Sequence, residues 1–389
     1  MMIPMKRLIA VLAVVVLAAY GCSQKAAPST SVMDTPEYHY AQGLKYLEKD
    51  QLAEAHREFN RAIDLAPAGP LGYIGKGLVL GKEADFTQAF AVMSKAKQYD
   101  QGIESRIGMI RLFTMQMSKE QAKAATLLKK AENEFSNAIE KEPNSAPLHY
   151  YMGMADMTAL DFDKAAGMFK KVLEINKEFT GQANAEWATI QKIQRAAPGT
   201  EIGKKIALIQ KIDRADVAAL FDQEMNLEKL FTKRGIKVYD TAFKPPTEST
   251  NRFSPDKTVS MPAATDISDN WLRPSIESVL HLRIRGLEAG PNHLFEPDKL
   301  ITKTEFALML EDLLIKVTGD EKLATKFLGA TSPFPEVRND HYAFNAIMVT
   351  TSRGFLEADK ATGEFHGMDF VSGADALLAI RAFKDQLKF

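Results

Sequence analysis

The sequence predicts a mostly α-helical protein built from two repeated regions. In residues 36–179 a pattern of small and bulky residues returns every thirty-four residues. In residues 264–384 a turn followed by the start of an amphipathic helix returns after about seventy residues. The composition, with 46% hydrophobic and 25% charged residues, is typical of globular proteins, and 389 residues are enough for two or three domains.

The N-terminus has the pattern of a secretory signal. Two basic residues, Lys6 and Arg7, precede the apolar run 8–19, which is too short to span a bilayer core of about 30 Å. The run ends in AYGC at 19–22, which resembles the lipobox of bacterial lipoproteins, where the chain is cleaved before the cysteine and the cysteine is acylated. Cys22 is the only cysteine of the chain, and this favours a lipidation site. The alternative is an ordinary cleaved signal, or a short uncleaved anchor, with an incidental cysteine.

The residues after Cys22 indicate where such a lipoprotein is held. Ser23 at the next position resembles the signal for outer-membrane rather than inner-membrane retention. We therefore expect an outer-membrane lipoprotein that faces the periplasm and is attached to the membrane through its N-terminal lipid. Residues 22–35 are mostly small and polar, and they predict a flexible tether between the lipid and the folded chain.

Composition and motifs argue against several other classes of protein. The net charge of −1 gives no global indication of nucleic-acid binding, so no nucleic-acid partner is expected. A single cysteine cannot form an internal disulfide, a zinc knuckle or an iron–sulfur site. The seven histidines are scattered, without a metal-binding pair on one helix, and no nucleophile–base signature occurs. We therefore expect no cofactor, no metal and no enzymatic activity.

The first repeat has a period of thirty-four residues. Its small and bulky positions hold Gly43, Ala55 and Phe59 in the first copy, Gly77, Ala89 and Met93 in the second, and Gly153, Ala165 and Phe169 in the fourth. Small residues are needed where the two helices of a repeat cross, and the bulky residue packs that pair against the next. The third copy departs from the pattern because its second helix begins about eleven residues late, which predicts a longer helix or an extra turn near Met117.

This pattern resembles the tetratricopeptide repeat over residues 36–179. The resemblance implies an α-solenoid over residues 36–198 that ends in a capping helix at 183–195. In the family the first helix of each repeat lines a groove, and the matching positions here are Tyr40, Leu44, Leu47, Leu71, Ile74, Leu78, Tyr150, Met154 and Met157. One interpretation is a groove for a hydrophobic segment of an unidentified protein partner. The alternative is that these side chains belong to the core, as helical apolar stripes commonly do.

The second repeat combines a short helix, a turn and the start of a longer helix. In one copy six residues separate Phe295, in the turn, from Ile301, just before the helix. In the next copy the same distance separates Phe365 from Val371. Two internal copies with the same spacing indicate a duplicated structural unit.

The second repeat resembles the S-layer homology domain. In that family three copies pack as a pseudo-threefold α-helical bundle with short loops. The segment IDRAD at 212–216 matches the start of the longer helix, which indicates a degenerate copy before the two clear ones. The expected order is a signal peptide (1–21), the tether (22–35), the solenoid with its capping helix (36–198), a degenerate first copy (199–239), a linker rich in Pro, Ser and Thr (240–263), and two further copies (264–318 and 330–386).

S-layer homology domains bind glycans of the cell envelope, and the resemblance implies specific binding residues. Arg214 and Lys303 match the basic position of the family motif, which recognises an acidic group. Trp271 and Tyr342 match the aromatic position, which stacks on a sugar. In the third copy Gly373 takes the basic position, so we expect that site to have lost its cation. The full set expected to bind glycan is Asp266, Trp271, Thr302, Lys303, Glu305, Arg214 and Tyr342.

Purely structural roles are the alternative for part of this set. Thr302 and Glu305 have the spacing of a capping box, in which each side chain bonds the backbone of the other residue. Trp271 and Tyr342 are also compatible with buried core anchors. A cap does not explain the two cations, because the helix dipole disfavours positive charge in the first turn.

Together these resemblances imply a non-catalytic, lipid-anchored envelope protein. Its solenoid is expected to scaffold a protein partner, while its C-terminal region binds peptidoglycan or a wall-associated polysaccharide. The alternative is an assembly adaptor for a secretion, pilus or outer-membrane machine, in which the C-terminal region binds protein and not glycan.

Overall fold

The computed structural model describes residues 26–227 and 264–387 of the chain. Every regular element in these residues is a helix, and the β-type contacts among them are isolated bridges. The prediction of a mostly α-helical protein is confirmed. Two compact units, Met1–Trp187 and Ala188–Phe389, divide the chain. The predicted lipidation site at Cys22 and the predicted linker at 240–263 lie outside the described residues.

The first unit consists of helices packed in consecutive pairs. Its helices are α1 (Pro36–Glu48), α2 (Leu52–Leu65), α3 (Pro70–Lys82), α4 (Phe86–Tyr99), α5 (Glu104–Lys119), α6 (Ala124–Ile139), α7 (Ala146–Thr158) and α8 (Phe162–Ile175), followed by the start of α9 (Thr180–Ala196). The two helices of each pair pack against each other, and the first helix of each pair also packs against the first helix of the next. The pairs are therefore stacked in a row.

Polar side chains fix where these helices begin. Thr35 caps α1 by accepting a hydrogen bond from the first turn, and Pro36 supplies the φ angle that a first turn requires. Asp85, Ser145 and Asp161 cap α4, α7 and α8 in the same way. The boundaries of these helices therefore follow from the local sequence.

The packing of Phe59 explains the small residues of the first repeat. Its ring is fully buried. A Cβ atom on Gly43 of α1, or on Gly75 of α3, would overlap that ring. In the fourth pair a Cβ atom on Gly153 would come within 2.8 Å of the Phe169 ring. The spacing of glycine and phenylalanine in the sequence therefore records one close-packed contact between helices.

The third pair departs from the others as the sequence predicts. Helix α5 has 16 residues, whereas the first helices α1, α3 and α7 have 13 each. A short 3-10 helix, Gln121–Lys123, then separates α5 from α6. The predicted capping helix at 183–195 lies within α9, and the division between the two units falls inside this helix.

The segment 26–35, predicted as part of a flexible tether, is held against α2. Arg61 of α2 donates hydrogen bonds to both carboxylate oxygens of Asp34, one of them at 2.9 Å from Nε. The amide of Ala27 donates to the carbonyl oxygen of Asp64 at 2.7 Å. The Arg61 guanidinium is the main reason why the pKa of Asp34 lies well below its usual range. Residues of this segment therefore contact the folded unit, and its one carboxylate is paired with a basic residue of α2.

The second unit is a helical bundle with long connecting loops. After the end of α9 its helices are α10 (Glu201–Ala207), α11 (Arg214–Gln223), α12 (Arg273–Leu280), α13 (Lys303–Thr318), α14 (Phe344–Ser352) and α15 (Gly373–Leu387), with a 3-10 helix at Glu321–Thr325. The connection between α12 and α13 has 22 residues, and that between α14 and α15 has 20. These loops are longer than the short loops expected from the sequence. In the described ranges, none of the helices combines the length and hydropathy that a membrane span requires.

A closed cycle of three hydrogen bonds joins the starts of α11, α13 and α15. The amide of Ile212 donates to the carbonyl oxygen of Val371 at 2.9 Å, and the amide of Val371 donates to that of Ile301 at 3.0 Å. The amide of Ile301 closes the cycle by donating to the carbonyl oxygen of Ile212 at 3.0 Å. Each of these residues stands two positions before its helix. The cycle therefore places the three helix starts, with their motif residues, around one centre.

Candidate functional site

Arg214, the first residue of α11, lies in a nest of backbone carbonyl oxygens. Its guanidinium donates to the carbonyl oxygens of Phe295 at 2.7 Å and Glu288 at 2.9 Å, and also to that of Gly286. It stacks over the Phe295 ring at 4.8 Å, and the residue is only 8% exposed. Burial lowers the pKa of the guanidinium. Arg214 of the first copy therefore holds the long loop of the second copy.

Lys303, the first residue of α13, has the same relation to the third copy. Its ammonium donates to the carbonyl oxygens of Glu357 at 2.7 Å and Phe365 at 2.8 Å. It lies 4.5 Å from the centre of the Phe365 ring, which corresponds to Phe295. Burial lowers the pKa of this ammonium. The helix dipole disfavours a positive charge in the first turn of a helix. The carbonyl oxygens compensate for this, because they supply negative partners for the two cations.

Gly373, the first residue of α15, makes backbone contact where the other two copies use a cation. Its amide donates to the carbonyl oxygen of Ile209 at 2.8 Å. A Cβ atom at this position would overlap the carbonyl group of Ile206. The third position thus lacks a cation, as expected, and the reason is that the backbone of the first copy occupies the space.

Thr302 and Glu305 form the capping box that the sequence offered as an alternative. The Thr302 hydroxyl accepts from the amide of Glu305 at 3.3 Å, and the Glu305 carboxylate accepts from the amide of Thr302 at 2.9 Å. Asp213 and Asp216 make the same reciprocal pair at the start of α11. Both residues of the α13 cap are therefore committed to helix α13, whatever else they contact.

Asp266 holds a turn. Its carboxylate accepts hydrogen bonds from the amides of Phe295 at 2.8 Å and Glu296 at 2.7 Å. In the third copy the Glu336 carboxylate accepts from the amide of Phe365 at 2.5 Å and from that of the following residue at 2.9 Å. Glu336 was not among the predicted site residues. The FPEV segment at 334–337 marks it as the counterpart of Asp266, because both carboxylates precede the helix of their copy.

Trp271 and Tyr342 are solvent-exposed. Trp271 is 63% exposed and Tyr342 is 75% exposed. The interpretation of these residues as buried core anchors is therefore wrong. Large aromatic side chains left in water at matching positions of two copies are available to contact a ligand.

Two grooves lie beside the motif cations. The Arg214 groove has a volume of about 470 Å³ and includes Glu288, Asn292 and Glu296 in its lining. The Lys303 groove is larger, at about 700 Å³. Trp271 and Tyr342 are not among the described residues that line either groove. The structure therefore brings each cation to a groove and leaves the exposed aromatics outside it.

The Lys303 groove is densely charged. Its lining includes the basic residues Lys192, Arg195, Lys303, Lys360 and Arg381, the carboxylates Glu357, Asp369, Asp375 and Asp385, and His366. Lys192 and Arg195 belong to α9, outside the three repeated copies, and were not predicted as site residues. No motif identifies them, because their place in the groove is set only by how α9 packs.

The predicted partner groove of the first unit is largely core. Leu47, Ile74, Leu78 and Met157 are buried. Tyr40, Leu44, Leu71, Tyr150 and Met154 are half-buried. Tyr150 stacks on Phe179 with ring centres 4.6 Å apart, and burial raises the pKa of its phenol to about 12. The core interpretation therefore holds for the four buried residues, and Tyr40 and Leu44 also pack against that core.

Asp156 of α7 is a buried carboxyl group that the sequence did not indicate. It is 0% exposed, and neither of its carboxylate oxygens has a hydrogen-bond partner among the described residues. Burial raises its pKa to about 7. A neutral, protonated carboxyl group is the form that this environment favours near neutral pH.

No known protein-family model matches the chain, and no curated protein matches its sequence. Among the described residues, no cluster of three or more His, Cys, Asp or Glu side chains is placed to hold a metal ion.

Proposed function

We propose that this chain is a non-catalytic cell-envelope lipoprotein whose C-terminal unit binds peptidoglycan or a wall-associated polysaccharide. Acylated Cys22 attaches it to the outer membrane, facing the periplasm. The N-terminal unit is a solenoid of tetratricopeptide type that scaffolds a protein partner. The C-terminal unit is a bundle of S-layer homology type.

The observation that carries this proposal is the Lys303 groove. It is an open groove beside a cation at the motif position, and its lining contains more cations than carboxylates. Glycans with acidic groups are recognised by cations in such clefts together with exposed aromatic rings, and Trp271 and Tyr342 supply those rings on the same unit. The consecutive helix pairs of the first unit support the solenoid part of the proposal.

Sedimentation with purified sacculi tests the glycan-binding part. The full-length chain in a mild detergent should pellet with sacculi. The double variant Trp271→Ala and Tyr342→Ala should pellet several-fold less, because it loses the stacking of aromatic rings on a sugar. Both side chains are exposed, so their removal should leave the core intact. Leu328→Ala, at a residue 65% exposed in the same unit, is the matched control and should bind like the wild type. Failure of the wild type to pellet would overturn glycan binding.

The assembly-adaptor alternative predicts the opposite pattern. An adaptor for a secretion, pilus or outer-membrane machine would leave sacculi in the supernatant and would hold a protein on the C-terminal unit. Lipidation is tested separately by Cys22→Ser. We expect this variant to leave the membrane fraction, since the several acyl chains of a lipoprotein anchor firmly and the uncut apolar run is short. Retention of the variant in the membrane would contradict lipidation.

A further inference from the structure

Most charges of the Lys303 groove are already paired. Lys192 contacts Asp375 at 2.7 Å, Lys360 contacts Glu357 at 3.4 Å, and Arg381 contacts Asp385 at 3.2 Å. Such partners satisfy each other and leave little net attraction for an incoming anion.

Lys303, the cation at the motif position, already makes most of the hydrogen bonds that its ammonium group can donate. Two of the three ammonium hydrogens of Lys303 point to the carbonyl oxygens of Glu357 and Phe365. At most one is left for a ligand. Lys303 therefore contributes positive potential and part of the groove wall, but it is not free to grip a carboxylate with several hydrogen bonds.

Arg195 is different. It stands in the last turn of α9, its side chain is exposed, and it lines the groove. Within the described ranges, its guanidinium has no hydrogen bond to a side chain and no ion pair. A free guanidinium presents a planar fork that matches the two oxygens of a carboxylate.

We propose that Arg195 is the residue that recognises the acidic group of the glycan, and that this group is a carboxylate bound in the Lys303 groove. The inference rests on the proposed glycan-binding function and adds the site, the residue and the chemistry of the ligand. The Arg214 groove does not serve an anion, because Glu288 and Glu296 line it beside a single arginine that is bonded to three carbonyl oxygens.

The test is a set of sedimentation curves with the full-length chain in a mild detergent. Arg195→Gln should weaken binding to sacculi about tenfold or more, because a charge-assisted pair of hydrogen bonds is lost. The affinity of Arg195→Lys for sacculi should lie between those of the wild type and Arg195→Gln. Lysine keeps the positive charge but lacks the planar pair of N–H donors that matches a carboxylate. Arg338→Gln removes an arginine that is 82% exposed on the same unit and should not change binding.

Three treatments of the sacculi identify the carboxylate. Capping the carboxyl groups by amidation should reduce wild-type binding to the level of Arg195→Gln. If the carboxylate belongs to a wall polymer, stripping the attached polysaccharide should cause the same reduction of binding. If it belongs to peptidoglycan, removing the stem peptides with an amidase should cause it. Wild-type binding with an unchanged Arg195→Gln curve overturns the role of Arg195 and leaves the proposed function standing. Absence of wild-type binding overturns both.

Discussion

The Arg214 groove and the Lys303 groove are built in the same way but differ in charge. In each, the first residue of a helix donates to carbonyl oxygens of the next copy and lies over a buried phenylalanine. The lining of the Arg214 groove contains one cation and two carboxylates, whereas that of the Lys303 groove contains five cations and four carboxylates. The cation at the motif position thus stabilises the architecture of both grooves. The difference between them lies in side chains that no motif marks.

The contact of Gly373 with the backbone of the first copy tests whether steric space or charge determines the residue at the motif position. Replacing Gly373 with lysine, the residue of the second copy, should destabilise the second unit by more than about 3 kcal/mol, because the new Cβ atom would overlap the Ile206 carbonyl group. Gly373→Ala should be nearly as damaging, since the overlap begins at Cβ. Urea unfolding followed by circular dichroism measures both.

Gly167→Ala is the matched control for these glycine variants. A Cβ atom on Gly167 meets nothing within 4 Å, so this helix variant should be neutral or slightly stabilising. A Gly373→Lys protein as stable as the wild type would show that position 373 can accept a cation, and it would contradict the steric explanation.

The two cations should differ in how much stability they supply. Arg214→Met should lower the free energy of unfolding of the second unit by about 3 kcal/mol, because three carbonyl oxygens lose a buried charged donor. Lys303→Met should lower the free energy of unfolding by about 1–2 kcal/mol, because only two carbonyl oxygens lose a donor and the residue is half-buried. Arg338→Met, on the surface, should stay within about 0.5 kcal/mol of the wild type. Equal costs for all three in urea unfolding would contradict the carbonyl nest as a source of stability.

The sequence was informative where the determining contact is local or repeats at a fixed spacing. The capping box of Thr302 and Glu305 spans three residues, so its pattern could be read directly. Gly43, one of the two glycines that accommodate Phe59, could be found because the same spacing recurs in later pairs. Helices and their order followed from these signals.

The role of Arg214 could not be read in this way. Its partners are backbone oxygens 72 to 81 positions along the chain, and a backbone oxygen has no signature in the sequence. Exposure of Trp271 depends on which face of the bundle its copy presents, and the place of Arg195 depends on the packing of α9. Contacts between distant segments decide each of these, so motif spacing alone left them open.

Asp156 is the reverse of the two cations, since it is a buried carboxyl group whose oxygens have no hydrogen-bond partner among the described residues. Its pKa of about 7 lies above the value of about 3.9 in an unfolded chain. The folded state therefore binds the proton more tightly, and the stability of the first unit should be greatest below about pH 4 as far as this group is concerned, and should fall as the pH rises to about 7. Asp156→Asn should remove this dependence and raise stability at pH 8 by on the order of 2 kcal/mol.

Thermal unfolding at pH 5 and pH 8 checks the sign. The wild type should lose more stability than Asp156→Asn between these two values. Asp163→Asn, on the neighbouring helix α8, is the control for a carboxylate without this burial. A wild type that is equally stable at both pH values would contradict a buried, unpartnered carboxyl group.

The smallest expected effect bears most directly on the difference between the grooves. In an Arg195→Gln background the Lys303 groove should bind an acidic glycan about tenfold or more weakly. Adding Glu288→Gln and Glu296→Gln should then raise binding to sacculi about two- to fivefold at low salt, because two carboxylates no longer repel the ligand from the Arg214 groove. The gain should disappear at high salt, where exposed charges are screened. Glu277→Gln together with Glu321→Gln makes the same change of charge at residues that line neither groove. If that control pair raises binding equally, the effect comes from net charge, and the two grooves do not differ in the way their linings indicate.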